Sequence, residues 1–303
     1  MKVAFVGAWG YGNVGDNTYR ILWQRFFPDL DAVYFNSDLP PDGLDREFGL
    51  VVFGGGGLLW HNEGNAHLEY MTYYVNEAKR FGIPYGFVSC DLQVRRVPGS
   101  DDADAFDYEP VVNAWLPNLR DAAFVWLRSV RSVDVLAKEG IVAEYCPDLC
   151  YLFRPDNVLT SRRYITIIPG FRVKAENPAV MADLELARGK WPDAVPILLN
   201  MGGPVADEVT AKFGGQLPEI KVYLSDEVTP EVALEKISSS HYVLSGRYHG
   251  MIFSRACGVP VRTYARSQYK IEVESALPLG GDPWRNVLAL QEVLRDTGIT
   301  STN

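Results

Sequence analysis

Lys2-Val-Ala-Phe-Val-Gly-Ala-Trp-Gly-Tyr-Gly-Asn-Val-Gly-Asp16 starts as a β-rich run and turns glycine-rich from Gly7 onward. A segment of helical spacing follows from about Asn17 to Phe27, ended by Pro28. Strand, glycine-rich exit and helix in that order open a βαβ unit. The alternation continues with strands at Ala32–Phe35, Leu50–Phe53, Tyr85–Ser89, Phe124–Leu127 and Val142–Cys146. Helical spacing covers Tyr70–Phe81, stopped by Gly82, and Ser132–Gly140, with Ser132 as its N-cap. The acidic stretch Pro98–Pro110 reads as a solvated loop or lid. After the linker-like Arg154-Pro-Asp-Asn157 the rhythm restarts. Strands are expected at Tyr164–Ile168, Val195–Leu199, Lys221–Leu224, Tyr242–Leu244 and Val261–Tyr264. Helices are expected at Val232–Ser239, Met251–Cys257 and Val287–Asp296, the last N-capped by Asn286.

A chain of 303 residues suggests two domains of ordinary size. A hydrophobic fraction of 47% and a charged fraction of 22% exclude a disordered, collagenous or coiled-coil chain. The expected fold class is α/β, with two Rossmann-like domains, 1–155 and 156–303, facing a cleft. Ligands of such folds bind outside the carboxyl ends of the strands. Four cysteines are too few for a disulfide scaffold. Cys146-Pro-Asp-Leu-Cys150 lacks the second pair that a zinc site needs, so these read as buried thiols. No metal-ligand spacing appears, and no metal is expected. No signal peptide or transmembrane segment is expected, and the cysteine usage points to a reducing, cytoplasmic compartment.

The net charge of −9 argues against a nucleic-acid partner, whose phosphates demand cationic contacts. Residues 1–155 hold 13 Lys/Arg against 21 Asp/Glu, whereas 156–303 hold 16 against 17. Within the balanced half, His241–Ile271 contains Arg247, Arg255, Arg262, Arg266 and Lys270 and no acid. A cationic segment on an acidic protein fits a small anionic ligand.

Four segments carry candidate chemistry. Gly12, Asn13 and Gly15 stand between strand and helix, where glycines admit close ligand approach and helix N–H groups meet an anion. The spacing Gly10-x-Gly12-x-x-Gly15 is a poor dinucleotide fingerprint, because Asp16 at the helix start repels a pyrophosphate. Asp16 serves there either as helix N-cap or as partner of an acceptor hydroxyl. In Gly54-Gly-Gly-Gly57, Gly55 and Gly56 point to tight backbone approach by a ligand or a domain. Arg128 sits at a strand exit, where a guanidinium suits carboxylate or phosphate, and Asp148 at another, where it orients Arg128 or caps a turn. Ser245-Gly-Arg247-Tyr-His249 is the richest stretch: Arg247 and His249 stand two apart at a strand-to-helix turn and can face one anion. A histidine so placed suits a proton shuttle near neutral pH. His67 and His241 lack such context and read as structural. Trp9, Trp60 and Tyr248 are aromatic enough to stack on a sugar, or simply to pack.

Gly12-Asn-Val-Gly-Asp16, Gly54-Gly-Gly-Gly-Leu58, Arg128–Ser132 with Cys146-Pro-Asp148, and Ser245-x-Arg-x-His-Gly250 with Gly258-Val-Pro260 and Tyr269-Lys270 occur in this order. In this the chain resembles the polysaccharide pyruvyl transferases. The resemblance implies a GT-B-like fold, with 1–155 on the acceptor side and 156–303 on the donor anion side. It also implies transfer of the pyruvyl group of phosphoenolpyruvate onto two hydroxyls of a sugar, glycan or lipid-linked saccharide as a ketal, in polysaccharide biosynthesis. Arg128, Arg247 and Lys270 would then anchor the doubly anionic donor. His249 would act as general acid and Asp16 would steer or deprotonate the acceptor hydroxyl. Phosphoenolpyruvate is a substrate, so no cofactor is expected; a homo-oligomer is compatible with the sequence. The family usually has an acidic residue directly after the arginine, where this chain has Ser129. A GT-B glycosyltransferase using a nucleotide sugar is the alternative, with Asp207, Glu208 or Glu272 holding sugar hydroxyls. A non-catalytic sugar- or anion-binding protein on the same fold is a third reading.

Overall fold

The computed structural model describes residues 1–10, 12–61, 66–93, 95–96, 106–155, 161–170, 173, 176–217, 219–264 and 281–299. Its elements in the first part of the chain are β1 (Lys2–Gly7), α1 (Val14–Phe26), β2 (Ala32–Asn36), β3 (Phe48–Leu59), α2 (His67–Phe81) and β4 (Tyr85–Leu92). A short antiparallel pair, β5 (Arg95–Arg96) and β6 (Phe106–Asp107), precedes α3 (Glu109–Leu119), β7 (Phe124–Leu127), α4 (Val130–Lys138) and β8 (Glu144–Tyr145). There follow β9 (Tyr164–Ile168), α5 (Pro178–Lys190), β10 (Val195–Leu199), α6 (Asp207–Gly215) and β11 (Lys221–Tyr223). The series closes with α7 (Pro230–Ser238), β12 (Ser240–Ser245), α8 (Tyr248–Ala256), β13 (Val261–Thr263) and α9 (Trp284–Asp296).

Two parallel sheets result. One has the order β2-β1-β3-β4-β7-β8, the other β11-β10-β9-β12-β13. Counted within each sheet these are 2-1-3-4-5-6 and 3-2-1-4-5, two variants of the doubly wound pattern. Every strand pair within both sheets is parallel. Strands covered on both faces become nearly continuous apolar runs, and β4 is buried throughout.

The chain forms two compact units. The first contains Met1–Trp9, Tyr19–Leu149 and Leu277–Asn303; the second contains Gly10–Thr18 and Cys150–Ala276. Relative to a division at 155/156, three segments change places, 10–18, 150–155 and 277–303, and local bonding explains the first and the last. Val14 N–H donates to Met201 O at 3.2 Å and Asn13 bridges Gly202, tying the start of α1 to the β10 exit. Asn286 Nδ2 donates to Pro147 O at 2.7 Å, tying α9 to the loop after β8.

The first unit is centred on aromatics: Phe5 stacks on Trp23 at 5.5 Å and Phe53 on Phe87 at 4.9 Å. The second packs Ile165, Ile167, Leu198 and Leu244 of its sheet against Val180 and Leu184 of α5 and Phe213 of α6. Each such side chain stabilises the fold by about 1.5–3 kcal/mol on burial.

Three expected helix starts are corrected. The N-cap of α4 is Ser129, whose side chain accepts from Ser132 N–H; Ser132 lies inside the helix and donates to Asp91 at 2.6 Å. Asn286 stands in the first turn of α9, behind Pro283, with its amide spent on Pro147 and Pro283 carbonyls. Asp16 is the third residue of α1, while Asn13 Oδ1 accepts from Gly15 N–H at 3.1 Å in the capping position. Of the expected loop at Pro98–Pro110, 98–105 lie outside the described residues, and the remainder leads through β6 into the start of α3.

Ser129 caps α4 at the position where the resemblance leads to an acidic residue, and serine and aspartate are comparable caps. Ser129→Ala is expected to cost about 1 kcal/mol, and Ser129→Asp close to nothing. Urea denaturation of the two variants checks this; a Ser129→Ala variant as stable as the wild type would show that the cap contributes nothing.

Candidate functional site

In the second unit the strand order reverses between β9 and β12, and α/β sheets bind ligands outside the carboxyl ends of the strands at that reversal. β12 leaves through Ser245 and Gly246 into Arg247, the N-terminal flanking residue of α8. Ser245 is buried; its hydroxyl donates to Arg247 O at 2.8 Å and accepts from Arg247 N–H at 3.2 Å. It thus shapes the turn that presents Arg247 and His249. The half-buried Arg247 side chain donates from Nε to Pro169 O, at the β9 exit, at 3.3 Å. Its guanidinium covers Gly202, where a Cβ would lie 2.1 Å from Nη2. Burial lowers the basicity of this guanidinium, and the Asp16 carboxylate offsets part of that effect.

The first turn of α1 closes the same site. Gly12 has φ 71° and lies against Pro204, and Asn13 joins the β10 exit through Gly202. His249, half-buried in the first turn of α8, rests on Gly15. A Cβ at residue 15 would fall 1.7 Å from Nδ1, so glycine is demanded by close approach. Gly12, Asn13, Gly15, Asp16, Ser245, Arg247 and His249 therefore assemble within one unit. A guanidinium, the N-terminus of α8 and an imidazole together can bind an anion and hand it a proton. Lys270 lies outside the described residues.

Arg128, Gly55 and Gly56 belong to the first unit. Arg128 is 1% exposed; its Nη1 donates to Asp148 Oδ2 at 2.6 Å and to Tyr19 Oη at 2.8 Å. Tyr19 in turn donates to the same Asp148 oxygen at 2.7 Å. Asp148 is fully buried and orients Arg128, one of the two roles open to it from sequence. Gly55, at φ 90°, provides the surface on which the Tyr19 ring lies, and a Cβ there would meet Tyr19 Cγ at 2.4 Å. Tyr19 escaped the sequence reading. It stands one helical turn after Asp16, a spacing that only the course of α1 makes meaningful.

Other candidates resolve locally. His67 is buried, with Nδ1 2.6 Å from Asp38 Oδ1 and Nε2 2.8 Å from Leu58 O, and Trp60 stacks on it at 4.9 Å. Trp9 and Tyr248 are buried. Asp207 accepts from Asn200 at 2.6 Å and from Ser225 N–H and Oγ at 2.9 and 2.5 Å, so its carboxylate is occupied by its own loop. Glu208 is exposed, and Glu272 lies outside the described residues. Cys146 and Cys150 are buried, and desolvation pushes the Cys146 thiol up to about 11. No helix among the described residues is long and apolar enough to cross a membrane.

Two doubly wound units, one bearing this cationic strand-exit site, define a GT-B-like polysaccharide-modifying enzyme. The chain belongs to the polysaccharide pyruvyl transferase family, whose sequence profile matches residues 13–268. Among solved structures it is similar to a UDP complex of MnaA from S. aureus (15% identity, 98% of this chain and 88% of that chain, TM-score 0.54). It is also similar to a UDP-GlcNAc 2-epimerase from Neisseria meningitidis bound to UDP-GlcNAc (13%, 98% and 92%, TM-score 0.51). A third is a UDP-GlcNAc 2-epimerase from Methanocaldococcus jannaschii (13%, 96% and 92%, TM-score 0.52). At such identities the likeness is one of fold. No curated protein matches the chain.

Proposed function

We propose that the protein transfers the pyruvyl group of phosphoenolpyruvate onto two hydroxyls of a saccharide, with the second unit as donor side. The observation that carries this reading is the grouping of Arg247 and His249 with the first turn of α1 at the carboxyl end of the five-stranded sheet. Arg247 and the N–H groups opening α8 meet the donor's negative charge. His249 protonates C3, and the positive charge that develops at C2 is met by the first acceptor oxygen. The proton of that hydroxyl passes to Asp16 and leaves with the phosphate as the C2–O bond to phosphate breaks. The second hydroxyl attacks C2 to close the ketal, and its proton restores the imidazolium. No cofactor takes part in this scheme, and the donor supplies the driving force through its released phosphate.

The occupied carboxylate of Asp207 supports this reading over a nucleotide-sugar glycosyltransferase, which would use an acid of this unit for sugar hydroxyls. The test mixes the protein with phosphoenolpyruvate and partially hydrolysed cell-surface polysaccharide and measures inorganic phosphate. Release with phosphoenolpyruvate but none of UDP from UDP-sugars is expected; the reverse result overturns the proposal. Titration calorimetry with phosphoenolpyruvate alone should show Arg247→Ala binding about 10- to 100-fold more weakly, the loss of a charged hydrogen-bond donor.

A further inference from the structure

We propose that Gly15 is a positioning residue for His249. By lacking a side chain it lets the face of the imidazole pack directly on the start of α1, which holds the ring in the place from which it gives its proton to the donor. This rests on the reading of His249 as general acid. A Cβ at residue 15 would fall 1.7 Å from Nδ1, 2.1 Å from Cγ and 2.4 Å from Cε1. That position lies over the face of the ring at Nδ1, so the imidazole and a side chain at residue 15 cannot occupy the same space.

Both walls of this contact are fixed. On the α1 side, Gly15 N–H donates to Asn13 Oδ1 at 3.1 Å, Val14 N–H to Met201 O at 3.2 Å, and Thr18 Oγ1 to Val14 O at 2.7 Å. Behind it, Cys150 Sγ stands 3.8 Å from Gly15 O. On the α8 side, Ser245 clamps both the N–H and the carbonyl of Arg247, and Ser254 Oγ donates to Gly250 O at 2.6 Å. A methyl group at residue 15 can be accommodated only by turning the imidazole out. Helix propensity by itself favours alanine over glycine, so destabilisation by Gly15→Ala would carry the opposite sign to the general trend.

During the proton step an imidazolium N–H bond of His249 breaks, the C2=C3 electron pair takes the proton at C3, and the neutral imidazole keeps the N–H pair. A ring displaced by about 1 Å loses on the order of 100-fold in rate.

The experiment compares the wild type, Gly15→Ala, His249→Ala and the double variant as full-length proteins. It measures kcat and KM for phosphoenolpyruvate by phosphate release, with partially hydrolysed cell-surface polysaccharide as acceptor, and Tm. Gly15→Ala is expected to lower kcat about 100-fold with KM changed less than about threefold, and to lower Tm. The double variant should be no slower than His249→Ala and more stable than Gly15→Ala, because deleting the ring makes room for the methyl. Wild-type turnover in Gly15→Ala, or losses that multiply in the double variant, would overturn the positioning role. Failure of the wild type to release phosphate sinks the functional reading, whereas full activity of His249→Ala sinks the proton role of His249 alone. The stability cycle then judges the contact alone, and additive Tm losses would refute it.

Discussion

His249→Ala lowers pyruvyl transfer by about 10²- to 10⁴-fold while phosphoenolpyruvate still binds within about threefold of the wild-type affinity: that is the expected result if the imidazole is the general acid. Such a pattern identifies an interaction made in the transition state, because kcat and kcat/KM fall together. His249 stands in the first turn of α8, beside Arg247 and over Gly15, so its removal leaves the cationic anchor and the N-terminus of α8 in place. A non-catalytic binding protein predicts a different outcome, with affinity reduced and no turnover to lose. Phosphate release and calorimetry on the same preparation separate the two. A variant that binds poorly yet turns over normally at saturation would remove His249 from the proton step.

Asp148→Ala should be the most damaging single change in the first unit, costing about 3–5 kcal/mol. Arg128 is 1% exposed and Asp148 fully buried, so removing the carboxylate strands a guanidinium away from water. Tyr19 loses the same acceptor. Scanning calorimetry or urea unfolding reads the loss. The paired replacement Arg128→Met with Asp148→Leu should recover most of it, because two apolar groups leave no charge uncompensated. A single variant within about 1 kcal/mol of wild type would mean that water reaches Arg128, contrary to its burial.

Much of the architecture was legible in the sequence because parallel strands buried on both faces are short, apolar and β-branched, and Tyr164–Ile168 and Val195–Leu199 match their strands to the residue. Helices were less legible. α3 contains Pro117, and α5 has apolar residues spread around its circumference, so neither displays one clear apolar face. Helix starts were misread where two polar residues competed. Ser129 and Ser132 both qualify as caps by type, and the decision fell to Asp91, which takes the Ser132 hydroxyl from another strand exit. Likewise Asn286 qualifies as a cap, but Pro147, far back in sequence, claims its amide. Within the site, residue types and their strand-exit positions were visible for Arg247 and His249. The reasons for Gly15 and Gly55 were not, because His249 and Tyr19 demand them across long stretches of chain.

The pairing of Gly10–Thr18 with the second unit also sets a timetable for the growing polypeptide. Asn13 and Val14 bond to Met201 and Gly202, and Gly15 meets His249, so these early residues lack their long-range partners until the ribosome has delivered the later ones. Chains fold domain by domain as they emerge, and contacts between distant residues come late. The six-stranded sheet can gather its strands while this loop waits, so the anion site is completed only after that sheet.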